Sequence, residues 1–133
     1  MYIIIIGCGE LGSRLAQELS LSNDVVVIDE RPGALRSLGS NFNGKTFVGD
    51  GLDVNILKEA GIERAEALFV LTGNEDLNVV IGQLAKKMFK VKKVIIQMFS
   101  FSKEEMFGKK GLVIINRNRL FLDRFKEALS ECI

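Results

Sequence analysis

The uninterrupted apolar run Tyr2–Ile6 leads straight into Gly7, Gly9 and Gly12, and that junction constrains the fold more than any other stretch. A short, β-branched apolar run suits a central strand buried on both faces. The glycines keep the G-x-G-x-x-G spacing, and Leu11, Leu15 and Leu19 then recur every four residues as one apolar helical stripe. Strand, glycine turn and helix in that order permit a tight turn at Gly7, close approach of a pyrophosphate at Gly9 and close helix–strand packing at Gly12. The helix N-terminus offers free N–H groups and a positive dipole end to phosphate oxygens. A second strand over 24–28 ends at Asp29, about 20 residues beyond Gly9. An acid there accepts hydrogen bonds from both ribose hydroxyls of an adenosine and repels a 2′-phosphate. The bland alternative is a glycine turn that packs without a ligand, with Asp29 a solvated strand end; the ordered succession of all five features weighs against it.

The same alternation continues along the chain. Strands are expected over 46–48, 67–71, 94–99 and 112–115, and helices over 34–38, 54–60, 103–107 (before Gly108 and Gly111) and 120–131. Arg31, Pro32 and Gly33 read as a turn. Asp53 is placed to cap the 54–60 helix, and Gly61 follows where a left-handed residue is expected. A longer helix begins after Asn74, with Leu77, Val80, Ile81, Leu84, Ala85, Met88 and Phe89 along a single face. Glu75 and Asp76 open it and Lys86, Lys87 and Lys90 close it, which suits the macrodipole. Six strands alternating with helices predict the α/β class: a Rossmann-like, doubly wound parallel sheet of about six strands in a single domain, 1–133. Ligands bind at the carboxyl ends of strands in such sheets. Those ends hold Gly7, Cys8, Gly9, Glu10, Leu11 and Gly12; Asp29, Glu30 and Arg31; Gly49, Asp50 and Gly51; and Thr72, Gly73 and Asn74.

Composition narrows the function classes. A net charge of +1 gives no global field toward nucleic acid or an anionic membrane. The longest apolar run, 1–6, falls far short of the about 20 residues that span a bilayer, and no signal peptide is legible, so a cytoplasmic location is expected. Cys8 and Cys132 make no disulfide framework. There is no histidine, which removes the commonest general acid–base and the commonest transition-metal ligand together.

Several segments in combination resemble a known family: Gly7-x-Gly9-x-x-Gly12, Val27-Ile28-Asp29, Val48-Gly49-Asp50-Gly51, Leu57-x-x-Ala60-Gly61-Ile62 and Thr72-x-x-Glu75-x-x-Asn78. Over residues 1 to about 100, and more loosely to the end, the chain is similar to the N-terminal nucleotide-binding (RCK or KTN) domain of Trk/Ktr-type potassium-uptake regulators. The resemblance implies a cytoplasmic module, held to the inner face of the membrane through a partner. It would bind NAD(H), ATP, ADP or AMP, assemble as homodimers or larger rings, and gate a membrane potassium channel or transporter. Gly7, Gly9 and Gly12 would then meet phosphate and Asp29 the adenosine ribose. Asp50 and Gly51 would flank the adenine, while Thr72 and Asn74 close over the phosphates. Arg31 either stacks on adenine or faces solvent, and Arg14 either reaches a phosphate or remains a solvated helix charge. The final helix, within 117–133, either completes its own domain or crosses to a partner subunit. The apolar surface implied by Phe99, Phe101, Met106 and Phe107 favours the partner. Two departures accompany the likeness: these residues include no further C-terminal ligand-binding domain, and Gln97-Met98-Phe99 stands where many relatives carry an arginine.

Other features have plainer readings. Cys8 is a small space-filler beside phosphate rather than a low-pKa thiolate. Asp50 and Asp53 lack the further ligands a metal site needs. The basic run 86–93 reads as a solvated face, with anionic headgroups as the alternative. A small NAD-dependent oxidoreductase, or its cofactor-binding subunit, is the competing function. It needs a proton donor near the nicotinamide, and the single tyrosine, Tyr2, lies away from the strand carboxyl ends. A non-enzymatic regulatory subunit without a metal or a nucleic-acid partner is therefore expected, a subunit with an empty pocket being a third alternative.

Overall fold

The computed structural model describes residues 1–107 and 111–131. Gly108 and Cys132, both named above, lie outside the described residues. Strand β1 (Tyr2–Ile6) lies in the middle of the sheet, with β2 (Asp24–Asp29) on one side and β4 (Ala67–Val70) on the other. Beyond them lie β3 (Lys45–Val48), β5 (Lys93–Met98) and the edge strand β6 (Val113–Asn116), in the order β3-β2-β1-β4-β5-β6. Every pairing is parallel, Ile6 standing opposite Ile28 on one side and Val70 on the other. Strand order reverses between β1 and β4, which makes their carboxyl ends the crevice of the sheet.

The crossovers are α1 (Glu10–Leu19), α2 (Pro32–Arg36), α3 (Val54–Glu59), α4 (Glu75–Lys87) and α5 (Phe101–Phe107), and the described chain ends with α6 (Arg117–Glu131). Each of the two faces has its own core. Ile3, Ile5, Val25 and Val27 pack with Ala16, Leu35 and Leu38 from the α1 and α2 segments. Ile4, Ile6, Val26, Ile28, Leu68, Val70 and Ile96 pack with Leu57 of α3 and Val79, Ile81 and Ala85 of α4. Burial of each large aliphatic side chain contributes about 1.5–3 kcal/mol.

The two longest crossover helices face inward largely along their apolar stripes, but with small residues at the line of closest approach and a few large ones left outside. In α1 the buried residues are Gly12 and Ala16, while Leu11 is 56% exposed and Leu15 and Leu19 flank the contact. In α4 the buried residues are Asn78, Val79, Ile81, Gly82 and Ala85, with Leu77 and Leu84 packed beside them, while Val80 is 50% exposed and Met88, just past the helix, 57%. The cause is interaxial distance. A Cβ on Gly12 would stand 2.2 Å from the Gly7 carbonyl oxygen, and one on Gly82 would stand 3.0 Å from the Ile96 side chain. Small residues occupy the line of closest approach and push the bulky ones to its flanks.

Boundaries differ in smaller ways. Pro32 and Gly33 are the first turn of α2 rather than a separate turn, proline being pre-set for that position. Asp53 does cap α3, accepting from the Asn55 and Ile56 N–H groups, and Gly61 is left-handed at φ 90°. Helix α6 begins at Arg117 instead of 120, because Asn116 accepts the Arg119 N–H at 3.1 Å and caps it at once. None of its residues is buried. The facing of α4 predicts that Ile81→Ala lowers the unfolding free energy by about 2–5 kcal/mol, whereas Val80→Ala stays within about 0.5 kcal/mol. Urea denaturation of the two variants measures both.

Candidate functional site

The glycine turn closes against the end of β4. Gly7 has φ 104°, and a Cβ there would meet the Leu71 backbone at 2.8–2.9 Å, so no side chain fits. Gly9 is different: nothing lies within 4 Å of the place its Cβ would take. Its lack of a side chain serves no packing need inside the chain; it leaves the backbone open to an approaching group. Helix α1 starts immediately afterwards with no side-chain cap, so its first-turn amides keep their capacity to bind an anion.

Above this turn lies a cleft of about 360 Å³, in the size range of small-molecule sites. Gly7, Gly9, Asp29, Glu30, Arg31, Gly49, Gly51, Thr72, Gly73 and Asn74 line it, over an apolar floor of Ile6, Ile28, Leu71, Leu77 and Ile81. Four strand ends thus converge on one cavity, as expected. The other candidates lie outside its lining. Asp50 turns its carboxylate into its own loop, accepting the Leu52 N–H at 2.9 Å. Glu10, Leu11 and Gly12 line a neighbouring groove of about 900 Å³ with Arg14, Gln97, Phe99, Ile115, Arg117 and Phe121. Arg14 meets Glu18 at 3.8 Å and is otherwise solvated. Cys8 is buried; desolvation pushes its thiol up, against a hydrogen bond with Ser37, and so opposes a thiolate.

Asp29 is the electrostatic centre of the cleft. Its carboxylate is buried and accepts four donors: the Cys8 N–H at 2.7 Å, the Arg31 N–H at 2.8 Å, and Arg31 Nε and Nη2 at 3.1 and 3.2 Å. Burial raises its pKa, but the Arg31 guanidinium and the two backbone N–H groups outweigh that and hold it below the usual carboxylate range. Arg31 therefore neither stacks over an open cleft nor merely faces solvent; it forks onto Asp29 from the exposed side. The four donors fill the about four lone-pair positions a carboxylate has. A ribose reaching Asp29 would have to displace the guanidinium, while the Cys8 N–H stays.

The Thr72 loop is held by residues whose role the sequence motif only hinted at. Asn78 is wholly buried at the start of α4. It accepts from the Thr72 N–H and hydroxyl and donates to the Thr72 and Gln97 carbonyls. Gln97 Nε2 donates to the same Thr72 carbonyl at 3.0 Å, while Gln97 Oε1 is buried without a partner among the described residues. Glu75 Oε2 takes the N–H groups of Phe99 and Ser100 at 2.8 and 2.9 Å, tying α4 to the end of β5. The spacing Thr72-x-x-Glu75-x-x-Asn78 put both side chains near the helix start, but their partners at the end of β5 and just beyond it, Gln97, Phe99 and Ser100, are distant in sequence. Among the described residues, no three potential metal ligands come together and no helix is long and apolar enough to cross a membrane.

Comparison with known proteins fits this geometry. Residues 3–118 match the family profile of the TrkA-N domain. The Trk system potassium uptake protein TrkA of Streptomyces coelicolor is 35% identical over 130 residues, covering 97% of this chain and 58% of that protein. The chain thus spans little more than half the length of that relative. Two solved structures share the fold: the TrkA-N domain of the inner membrane protein ybaL from Escherichia coli and the GsuK channel bound to NAD. The first has TM-score 0.85 and 19% identity, covering 96% of each chain. The second has TM-score 0.81 and 18% identity, covering 97% of this chain and 23% of the channel chain. At such identities the likeness concerns the fold alone.

The Asp29 network carries a pH signature. A carboxyl held below its ordinary pKa of about 3.9 stabilises the fold fully above that value and loses its contribution as pH falls through the folded pKa. Asp29→Asn should therefore flatten the acid limb of the stability–pH curve below about pH 4. Urea unfolding of parent and variant across the acid range checks it.

Proposed function

This chain belongs to the TrkA-N domain family, and we propose that it is a regulatory module. In this proposal it binds an adenine nucleotide (NAD, NADH, ATP, ADP or AMP) and gates a membrane potassium channel or transporter from the cytoplasmic side. The observation that carries the nucleotide is the cleft itself. It has an open Gly9 before an uncapped helix N-terminus, and a buried, ionised Asp29 one strand away. Phosphate meets the amides of the glycine turn, ribose meets Asp29, and the adenine lies between Gly49 and Gly51 over Ile28 and Ile81. Thr72, Gly73 and Asn74 face the phosphates from the other side. The potassium-uptake relative and the NAD-bound channel support the regulatory reading.

Bound nucleotide is held and released unchanged. Asp29 is kept ionised by its four donors, and Tyr2 sits at the far end of β1 with its hydroxyl donating to the Ala60 carbonyl. Binding energy then biases subunit arrangement, to the extent that the ligand's affinity differs between the two states. The arrangement we propose is a homodimer or larger ring built through α6 and the neighbouring 99–107 region. Leu120, Phe121, Phe125 and Leu129 are exposed on a helix with no buried residue, and Val113 and Ile115 are exposed on edge strand β6 beside it. So much apolar surface in one region favours a partner.

Thermal-shift and calorimetric titration with AMP, ADP, ATP, NAD, NADH and NADP tests the ligand. Asp29→Ala should cost about 1–3 kcal/mol of affinity, and NADP should bind far more weakly than NAD. Equal binding by parent and variant would remove Asp29 from the site. Light scattering tests the assembly: the parent should be at least a dimer burying about 800 Å² on each side, and Phe125→Asp should dissociate it. A monomeric parent at high micromolar concentration, with and without nucleotide, would remove the α6 interface.

A further inference from the structure

The run 86–93 holds Lys86, Lys87, Lys90, Lys92 and Lys93 with no acidic residue among them. It forms the last turn of α4 and the loop into β5, at the amino ends of the strands and opposite the nucleotide cleft. Lys86 has a structural task. Its ammonium donates to the carbonyls of Val91 and Lys92 at 3.3 and 2.7 Å, and the Val91 N–H reaches back to the Ala85 carbonyl at 3.2 Å. The loop is thereby fixed on the body of the domain. On that frame Lys87, Lys90, Lys92 and Lys93 are exposed, and none of them forms an ion pair among the described residues. The acids at this end of the sheet include Glu18, Asp24, Glu59, Glu63 and Glu66, with Lys45, Lys58 and Arg64 among them, and Glu66 is engaged by the Tyr2 N–H at 3.1 Å. Met88 stands exposed among the lysines, and Phe89 is turned onto the core.

We propose that this loop is a docking surface for the anionic headgroups of a lipid bilayer. Charge complementarity is the first argument: unpaired lysines concentrated in one short loop of a chain whose net charge is only +1 make a local field rather than a global one. Lysine is the second. Compact ammonium groups on flexible stems suit a diffuse layer of headgroup phosphates, where arginine forks would suit one fixed anion. Met88 adds an exposed apolar side chain at the centre, able to enter the acyl boundary while the lysines stay in the headgroups. No exposed aromatic interleaves the lysines, so the stacking platforms of a single-stranded nucleic-acid surface are missing. Because the loop lies at the opposite end of the sheet, a docked domain keeps its cleft open to solvent. The surface is independent of the nucleotide reading.

Co-sedimentation of the 133-residue chain with phosphatidylcholine vesicles, and with vesicles one-third phosphatidylglycerol, tests this. Pelleting should require phosphatidylglycerol and fall with added salt. Each lysine is worth about fivefold in affinity at an anionic surface. Combined Lys87→Glu, Lys90→Glu, Lys92→Glu and Lys93→Glu should therefore weaken it at least about 100-fold, with the thermal midpoint unchanged. The corresponding Lys→Gln set should fall between, and keeps the test valid should the charge reversal disturb folding. No pelleting of the parent, or equal pelleting of parent and both variants, overturns the proposal. Tighter binding to a single-stranded oligonucleotide than to the anionic vesicles overturns it as well, by assigning the loop to nucleic acid.

Discussion

Burial of β1 on both faces is the constraint from which the rest of the fold follows. Its four isoleucines alternate between two cores, so each face must be covered by helices, and parallel neighbours joined by crossovers are the arrangement that covers both. A strand so enclosed has to leave the sheet through a turn with no side chains to spare. The Gly7 N–H bonds the Ile28 carbonyl at 2.9 Å, the Leu71 N–H bonds the Ile6 carbonyl at 2.8 Å, and Gly12 rests on the Gly7 carbonyl. The crevice between β1 and β4 and the start of α1 are thus products of the same packing that buries the strand.

Asp29 joins that backbone geometry to chemistry. It fastens the Cys8 N–H, and with it the glycine turn, to the end of β2, and it presents an ionised carboxylate to the cleft. Arg31 satisfies the exposed lone pairs. In the proposed complex a ribose would exchange for a surface guanidinium that is still largely solvated, while the buried Cys8 N–H bond would persist in both states. On the other wall, Asn78, Gln97 and Glu75 connect the Thr72 loop to the end of β5, and Asn118 donates to the Phe99 carbonyl at 2.9 Å from the first turn of α6. These bonds form a continuous physical link between the cleft and the exposed helix through which subunit packing is proposed to respond.

Much of this was legible in residues 1–29. Strand, glycine spacing, helix and acid follow local rules, and the structure places each where those rules put it. The facing of α1 and α4 was legible in outline, through Leu15, Leu19, Leu77, Ile81, Leu84 and Ala85, but its line of closest approach was not. Hydropathy marks large apolar residues such as Leu11, Val80 and Met88, whereas close approach to a sheet selects Gly12, Ala16 and Gly82, which periodicity undervalues. The turn of Asp50 into its own loop, the fork of Arg31 on Asp29 and the buried amide pair Asn78–Gln97 depend on the three-dimensional course of the loops and on contacts across long stretches of chain. No spacing rule contains them. Helix α6 was recognisable as apolar on one side, yet only the structure shows that none of it is buried by its own domain.

An amide-resolved ¹⁵N–¹H titration with NAD and with AMP tests the central claim, that the crevice between β1 and β4 holds an adenine nucleotide, most directly. Saturable shifts should concentrate at Gly9, Glu10, Arg31, Gly51 and Thr72, with the Cys8 amide marking continued contact with Asp29. Shifts absent at saturating nucleotide, or confined to residues outside the crevice such as 87–93, would contradict it.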